Sequence, residues 1–227
     1  MVRRTAMRAV RAARVLGPQA RTASTAVRRR AFIARTRVSA AWVNATVELD
    51  IADDVRIGRD VRVVFEPWSH NVLHIGPKSS LDDRVLIQLK GGTIRIGDRV
   101  EIRRDCVLNV AGELEIDGDG PISWNSVIHC STRIHLERMV GLAEQVTLAD
   151  SSHYFTTPDE HFWHNVRTGA IEIGRNTWLC PKVTVTRDAK IGSHCIIGAG
   201  SVVVGEIPAG SLASGVPASY RPLSLPW

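Results

Sequence analysis

Aromatic residues are scarce in this chain of 227 residues, at 5%, against 44% hydrophobic residues in all. A core made from such a chain is aliphatic, and it is large enough to exclude global disorder. No apolar run reaches the roughly 20 residues that a membrane-spanning helix needs, so a transmembrane helix is excluded. The four cysteines, Cys106, Cys130, Cys180 and Cys195, form no C-x-x-C pair. That argues against a zinc ribbon and a disulfide scaffold, and it predicts reduced thiols in a cytosolic protein.

Acidic residues are missing altogether from positions 1–47, which hold 11 arginines. The formal charge of +6 therefore divides into a basic arm and a mildly acidic remainder with 18 basic and 23 acidic residues. A sequence pI near 9.6 is thus no sign of nucleic-acid binding by the whole protein, and no aromatic residue interleaves the arginines before Phe32. Ala and Arg favour one or two short helices in residues 1–40, with a break at Gly17-Pro18. Three roles stay open for the arm: a solvated or trimer-docking segment, a contact with an anionic membrane surface, and a cleaved targeting segment. The arm lies outside the repeat described next and is expected to be dispensable for chemistry.

From residue 49 the chain has a period of six. Ile173, Leu179, Val185, Ile191, Ile197 and Val203 are aliphatic in strict steps. Thr177, Val183, Ala189, Cys195 and Ser201, all small or β-branched, stand four positions after the first five. Further runs are Ile116, Ile122, Ile128, Ile134 and Leu136, Leu142, Leu148; shorter ones are Ile51, Ile57, Val63 and Ile96, Ile102, Leu108. Pairs such as Ile94/Ile96 and Leu114/Ile116 mark two-residue insertions between runs. Six fits neither a helix nor a long alternating strand. It fits a short strand, a tight turn and another short strand, stacked three to a coil in an all-β solenoid. The small residue is then required at a crowded corner. Domain bounds follow: a basic, helical N-terminal arm over 1–47 and a β-helix over 48–227, interrupted by a loop at 154–170 and ending in a tail at 206–227.

Over residues 49–222 the sequence resembles the hexapeptide-repeat acyltransferases. The segments that carry this are Val146–His153, Ile173–Trp178, the Gly198-Ala199-Gly200-Ser201 stretch and Gly215-Val216-Pro217-Ala218. Within 141–222 it looks most like the galactoside, maltose and polysaccharide O-acetyltransferases. The resemblance implies a left-handed parallel β-helix, acetyl-CoA as co-substrate, a sugar or glycan acceptor, a homotrimer and no metal.

It also implies residue roles. His153 falls on the catalytic base, and an imidazole suits proton removal from a hydroxyl near neutral pH. It ends a hexad run and opens the long break, where sites on a rigid scaffold are built. Asn125 matches an acceptor-binding Asn; its bland alternative is a turn Asn satisfying its own backbone. Asp150 is a candidate for acceptor binding or for orienting the His153 ring. Trp178, Pro181, Ala199, Gly200 and Arg221 are the candidates for holding acetyl-CoA, with Ala199 and Gly200 leaving room for close approach. Val204-Gly205 stands where the family has a Thr-Lys pair on the CoA phosphates, which leaves Arg221 as the cation of the tail.

Two other functions share this scaffold. A γ-carbonic anhydrase needs three converging histidines, whereas His129 and His135 are six apart and fall on different faces, and His161 and His164 lie in the loop. A non-catalytic solenoid for binding or assembly is the other. The expected location is cytoplasmic, peripheral on the inner membrane face if the arm binds lipid.

Overall fold

The computed structural model describes residues 18–224 other than 162 and 164. The first part of the arm and His164 lie outside the described residues. Among the described residues of the arm there is one helix, α1 (Pro18–Trp42), which starts at the expected Gly17-Pro18 break and is longer than the short helices expected. Pro18 opens it, where its missing N–H costs nothing. The rest is a parallel β-helix of hexapeptide repeats, as the period of six predicted. Each coil visits three sheets in turn.

The first face has eight strands, among them Thr46–Ile51, Thr93–Asp98, Glu113–Gly118, Arg133–Leu136 and Ile171–Ile173. The second has nine, including Pro121–Ile122, Gly141–Leu142, Trp178–Leu179 and Ile196–Ile197, and closes with the antiparallel pair Ser211–Gly215 and Ala218–Pro222. The third has seven, from Arg62–Phe65 through Val127–Cys130, Thr147–Ala149 and Thr184–Thr186 to Val202–Val203.

Hexad aliphatics point inward from all three faces. Ile173, Leu179, Val185 and Ile197 are fully or almost fully buried. The two-residue insertions lengthen the first face instead of looping out, so both members of Ile94/Ile96, Leu114/Ile116 and Ile134/Leu136 are buried. Where a corner residue is Ser, Thr or Cys, its hydroxyl or thiol reaches a turn carbonyl. Ser126 donates to the Ala143 carbonyl at 3.1 Å, Thr177 to Gly192 at 2.9 Å, and the Cys106 thiol to Ser123 at 3.0 Å. Burial holds the Cys106 thiol up at about 11.

The outward surfaces differ. Across the first face one row reads Asp50, His74, Arg95, Glu115, His135, Glu172, Lys190, Glu206, which is mostly acid beside base. Beside that row, Arg138 bridges Asp98 at 3.0 Å and holds its carboxyl low, while Arg99 first and Arg138 second hold that of Asp119 at about 2. The corresponding row of the third face is Arg62, Leu86, Val107, Val127, Thr147, Thr184, Val202, with Arg62 at its start as its one charge.

The helix is not a separable appendage. Phe32, Thr36 and Ala40, spaced four apart, are buried against the first coil, and Phe32 belongs to the continuous core. Arg29 donates to the Ile51 carbonyl at 2.8 Å and pairs with Asp53 at 2.5 Å; Ser39 donates to the Val63 carbonyl at 2.9 Å. Removing residues 1–40 would therefore uncover the first coil, so dispensability for chemistry does not extend to dispensability for folding. The expected loop is also more ordered than a loop. Ser151–Tyr154 and Asn165–Thr168 pair antiparallel as a hairpin that leaves the solenoid.

Candidate active site

The hairpin departs from the edge between the third and first faces. Its base is fixed by Asp150, which is fully buried. One carboxylate oxygen accepts the Ser131 amide at 2.6 Å; the other accepts those of Thr132 at 2.7 Å and Arg133 at 3.0 Å. The Asp150 backbone continues the ladder, with its amide donating to His129 and its carbonyl accepting from Gly169. Ser131 and Ser151 hydroxyls lie 3.0 Å apart, and Arg187 donates to Ser152 at 2.9 Å. This makes Asp150 an anchor of the hairpin base. Burial, with the Asp150 charge behind it, pushes the neighbouring Cys130 thiol up to about 12.

His153 stands exposed on the first hairpin strand, opposite Val166. Its ring meets Trp163 edge to face, with centroids 5.9 Å apart, and His161 stacks on the same indole at 5.6 Å. Glu160 braces the hairpin tip by accepting from the Thr156 amide and hydroxyl and from the Asn165 amide group, and those hydrogen bonds hold its carboxyl low.

A second edge, between the second and third faces, is a ladder of turns. The amide of Gly200 donates to the Pro181 carbonyl, Lys182 to Glu144, Gln145 to Trp124, and Asn125 to Arg104. Asn125, Pro181, Ala199 and Gly200 therefore share one edge of one chain, all of them solvent-exposed. Asn125 has φ of 59° and Gly200 of 71°, so both occupy the left-handed turn position. Above Asn125, the guanidinium carbons of Arg103 and Arg104 lie 5.7 and 5.4 Å from the centroid of the partly exposed Trp124 ring.

Trp178 begins at the third edge, where the first face turns into the second. Its indole lies flat over Gly141. A Cβ there would sit 2.5 Å from Cε3 and Cζ3 of the ring. From Gly141 an outward row runs through Trp178, Ile196 and Leu212 to Arg221. An apolar strip ending in a cation is thus built on the second face. Gly141→Val is expected to displace the indole, read as a shift in intrinsic tryptophan fluorescence with the circular dichroism unchanged.

One chain thus spreads the candidates over three edges. A face of six residues at about 3.3 Å per residue places neighbouring edges roughly 15–20 Å apart. Gly141, Trp124 and Trp163 were not legible as site residues. The hairpin breaks the 18-residue spacing that links Trp178 to its successors, so nothing in the sequence aligns Gly141 with it. On the first face a depression of about 530 Å³ is lined by His135, Glu172, Lys190 and Glu206 among others, and it includes neither His153 nor Trp178. Elsewhere on the first face, ligand atoms of Glu115, Asp117 and His135 come within 4.8 Å of one another. His135 pairs with Asp117 at 2.9 Å, as part of the charged surface.

The bacterial transferase hexapeptide family (six repeats) matches residues 170–205. The chain is 30% identical over 167 residues to a probable acetyltransferase of Mycobacterium tuberculosis, covering 72% of this chain and 48% of that one. It therefore spans about half the length of that relative. Among solved structures, a variant of an N-acyltransferase from Bacillus cereus, in complex with dTDP-4-amino-4,6-dideoxyglucose and coenzyme A, superposes with a TM-score of 0.55 at 17% identity, covering 65% of this chain and 81% of that one. A polySia-specific acetyltransferase superposes at 0.52 and 18% identity, covering 81% and 82%. At these identities the two structures speak for the shared fold.

Proposed function

From a chain that carries the transferase hexapeptide repeat on a parallel β-helix, we propose an O-acetyltransferase that moves an acetyl group from acetyl-CoA to a hydroxyl of a sugar or polysaccharide precursor. The observation that carries this reading is the placement of His153, exposed on the hairpin that leaves the rigid solenoid and steadied by Trp163. In the reaction, an imidazole nitrogen of His153 takes the hydroxyl proton as the acceptor oxygen attacks the thioester carbonyl. A C–O bond forms, and a backbone N–H holds the negative oxygen of the tetrahedral intermediate. The C–S bond then breaks, and the thiolate leaves with the proton returned by the imidazolium. The apolar strip from Trp178 to Leu212 suits pantetheine, and Arg221 at its end suits a phosphate. Asn125 and the Trp124 ring between Arg103 and Arg104 form the acceptor end.

The relatives' names support acyl transfer and sugar acceptors. The spread of the site over three edges supports a homotrimer, in which a neighbouring copy brings its Trp178 strip to this chain's His153. The third face, whose outward row carries one charge, Arg62, is the surface suited to such a contact, and a head-to-tail ring closes on itself. The arm's proposed role is contact with an anionic membrane surface, which places a cytoplasmic chain on the inner face of the membrane.

The test is co-refolding of His153→Ala with Trp178→Ala, with CoA release from a panel of nucleotide sugars, lipid-linked sugars and free glycans as the signal. Mixed trimers should recover a fraction of the activity that each variant lacks alone. Confirmed mixed trimers without recovery, from a Trp178 variant that is itself inactive, would reject the shared site. A protein that binds acetyl-CoA stoichiometrically and acylates nothing in the panel would reject the enzyme.

A further inference from the structure

Helix α1 has two apolar sides, and only one is covered. The covered side carries Phe32, Thr36 and Ala40 into the first coil. At about 100° per residue, the opposite side presents Val27, Ala31, Ala34, Val38 and Ala41, with Trp42 at its end. All are exposed: Val27 by 65%, Val38 by 66% and Trp42 by 87%. Their spacing of four, three, four and three is the spacing of a helix that means to bury this stripe.

The flanks are cationic on both sides. Arg28 and Arg35 border the stripe on one side, Arg30 and Arg37 on the other, and all four are exposed. No acidic residue occurs in the helix. Arg29, which faces the solenoid, is instead held by Ile51 and Asp53. Among the described residues, the helix packs chiefly against the strands of the first coil, Thr46–Ile51, Arg56–Ile57 and Arg62–Phe65. The stripe therefore faces away from the body of the chain.

We infer that this stripe is a membrane-docking surface that lies in the headgroup region of an anionic lipid leaflet. An apolar strip bordered by arginines, without acids and with a Trp at one end, matches an interfacial helix. The alkyl stems of the arginines reach up beside the strip while their guanidinium groups meet lipid phosphates. A second protein surface would be read less well by four like charges with no acid among them. The inference rests on the membrane role proposed for the arm and is independent of acyl transfer.

Co-sedimentation of the full chain with phosphatidylcholine vesicles, with and without phosphatidylglycerol, tests it. The expected result is binding only to the anionic vesicles, reversed by salt. Val27→Ser with Val38→Ser should weaken it about tenfold. Arg30→Gln with Arg37→Gln should weaken it about 25-fold, since each basic residue near such a surface contributes roughly fivefold. All four positions are exposed, so the unchanged circular dichroism of both variants checks the fold. If the full chain binds and the serine variant binds equally well, the stripe is not the contact, although the arm's membrane role survives through its other arginines. If the full chain binds neither vesicle, both fall. If the serine variant changes the oligomeric mass and the full chain ignores lipid, the stripe belongs to a second copy.

Discussion

His153→Ala is expected to lower kcat/KM by about 10²–10⁴-fold while leaving the melting temperature within a degree or two of the parent. The two halves of that result have separate reasons. The imidazole is exposed on a hairpin strand and fills no part of the core, so its loss opens no cavity. Its loss from the reaction leaves the acceptor hydroxyl to attack with its proton in place. Steady-state rates on the true acceptor, with thermal melting of the same preparation, separate the effects. Retention of most of kcat/KM would remove His153 as the base.

Asp150→Ala should do the reverse and cost about 3–5 kcal/mol of stability, because three amides of one turn lose a charged acceptor inside the protein. For a chain of this size that is a fall of about 10 °C in melting temperature. Asp150→Asn separates anchoring from catalysis. An amide keeps one acceptor oxygen and turns its NH₂ towards donors, so the hairpin base loosens and stability falls. If Asp150 instead served to orient the His153 ring, Asp150→Asn would lower kcat with stability intact. Thermal melting against kcat for this one variant decides between the two roles, and the three amides at 2.6–3.0 Å favour the anchor.

The solenoid was legible because each hexad repeats one physical demand, a large aliphatic inward and a small residue at the corner. Ile173 through Val203 show it without a gap. The insertion pairs were legible as insertions but not as a wider face, since nothing in the hexad itself says whether two extra residues bulge or extend a strand. In Ile94 and Ile96 the answer is the alternation, both members pointing inward. The hairpin was hidden because Ser151–Tyr154 is polar on both sides and buries nothing that would mark a strand. Asp150 offered a signal only in hindsight: an acid at the last inward position before the chain leaves its coil has to find donors there. The docking of α1 was also written in the sequence, as Phe32, Thr36 and Ala40 at steps of four.

The covered ends of the stack have a consequence for growth. Every coil pairs with the next through open strand edges, and an uncovered terminal coil would offer those edges to another molecule, end on end. At one end α1 lies across the first coil and seals its core with Phe32. At the other, Ala218–Pro222 runs antiparallel along Ser211–Gly215, and a strand of opposite direction cannot template a further parallel coil. The final strands of the other two faces, Glu206–Ile207 and Val202–Val203, are only two residues long. A repeat that could in principle continue without limit is thereby held to a fixed length. A chain shorn of α1 would keep its C-terminal cap, so its uncovered first coil could meet only that of another such chain, giving pairs and not filaments.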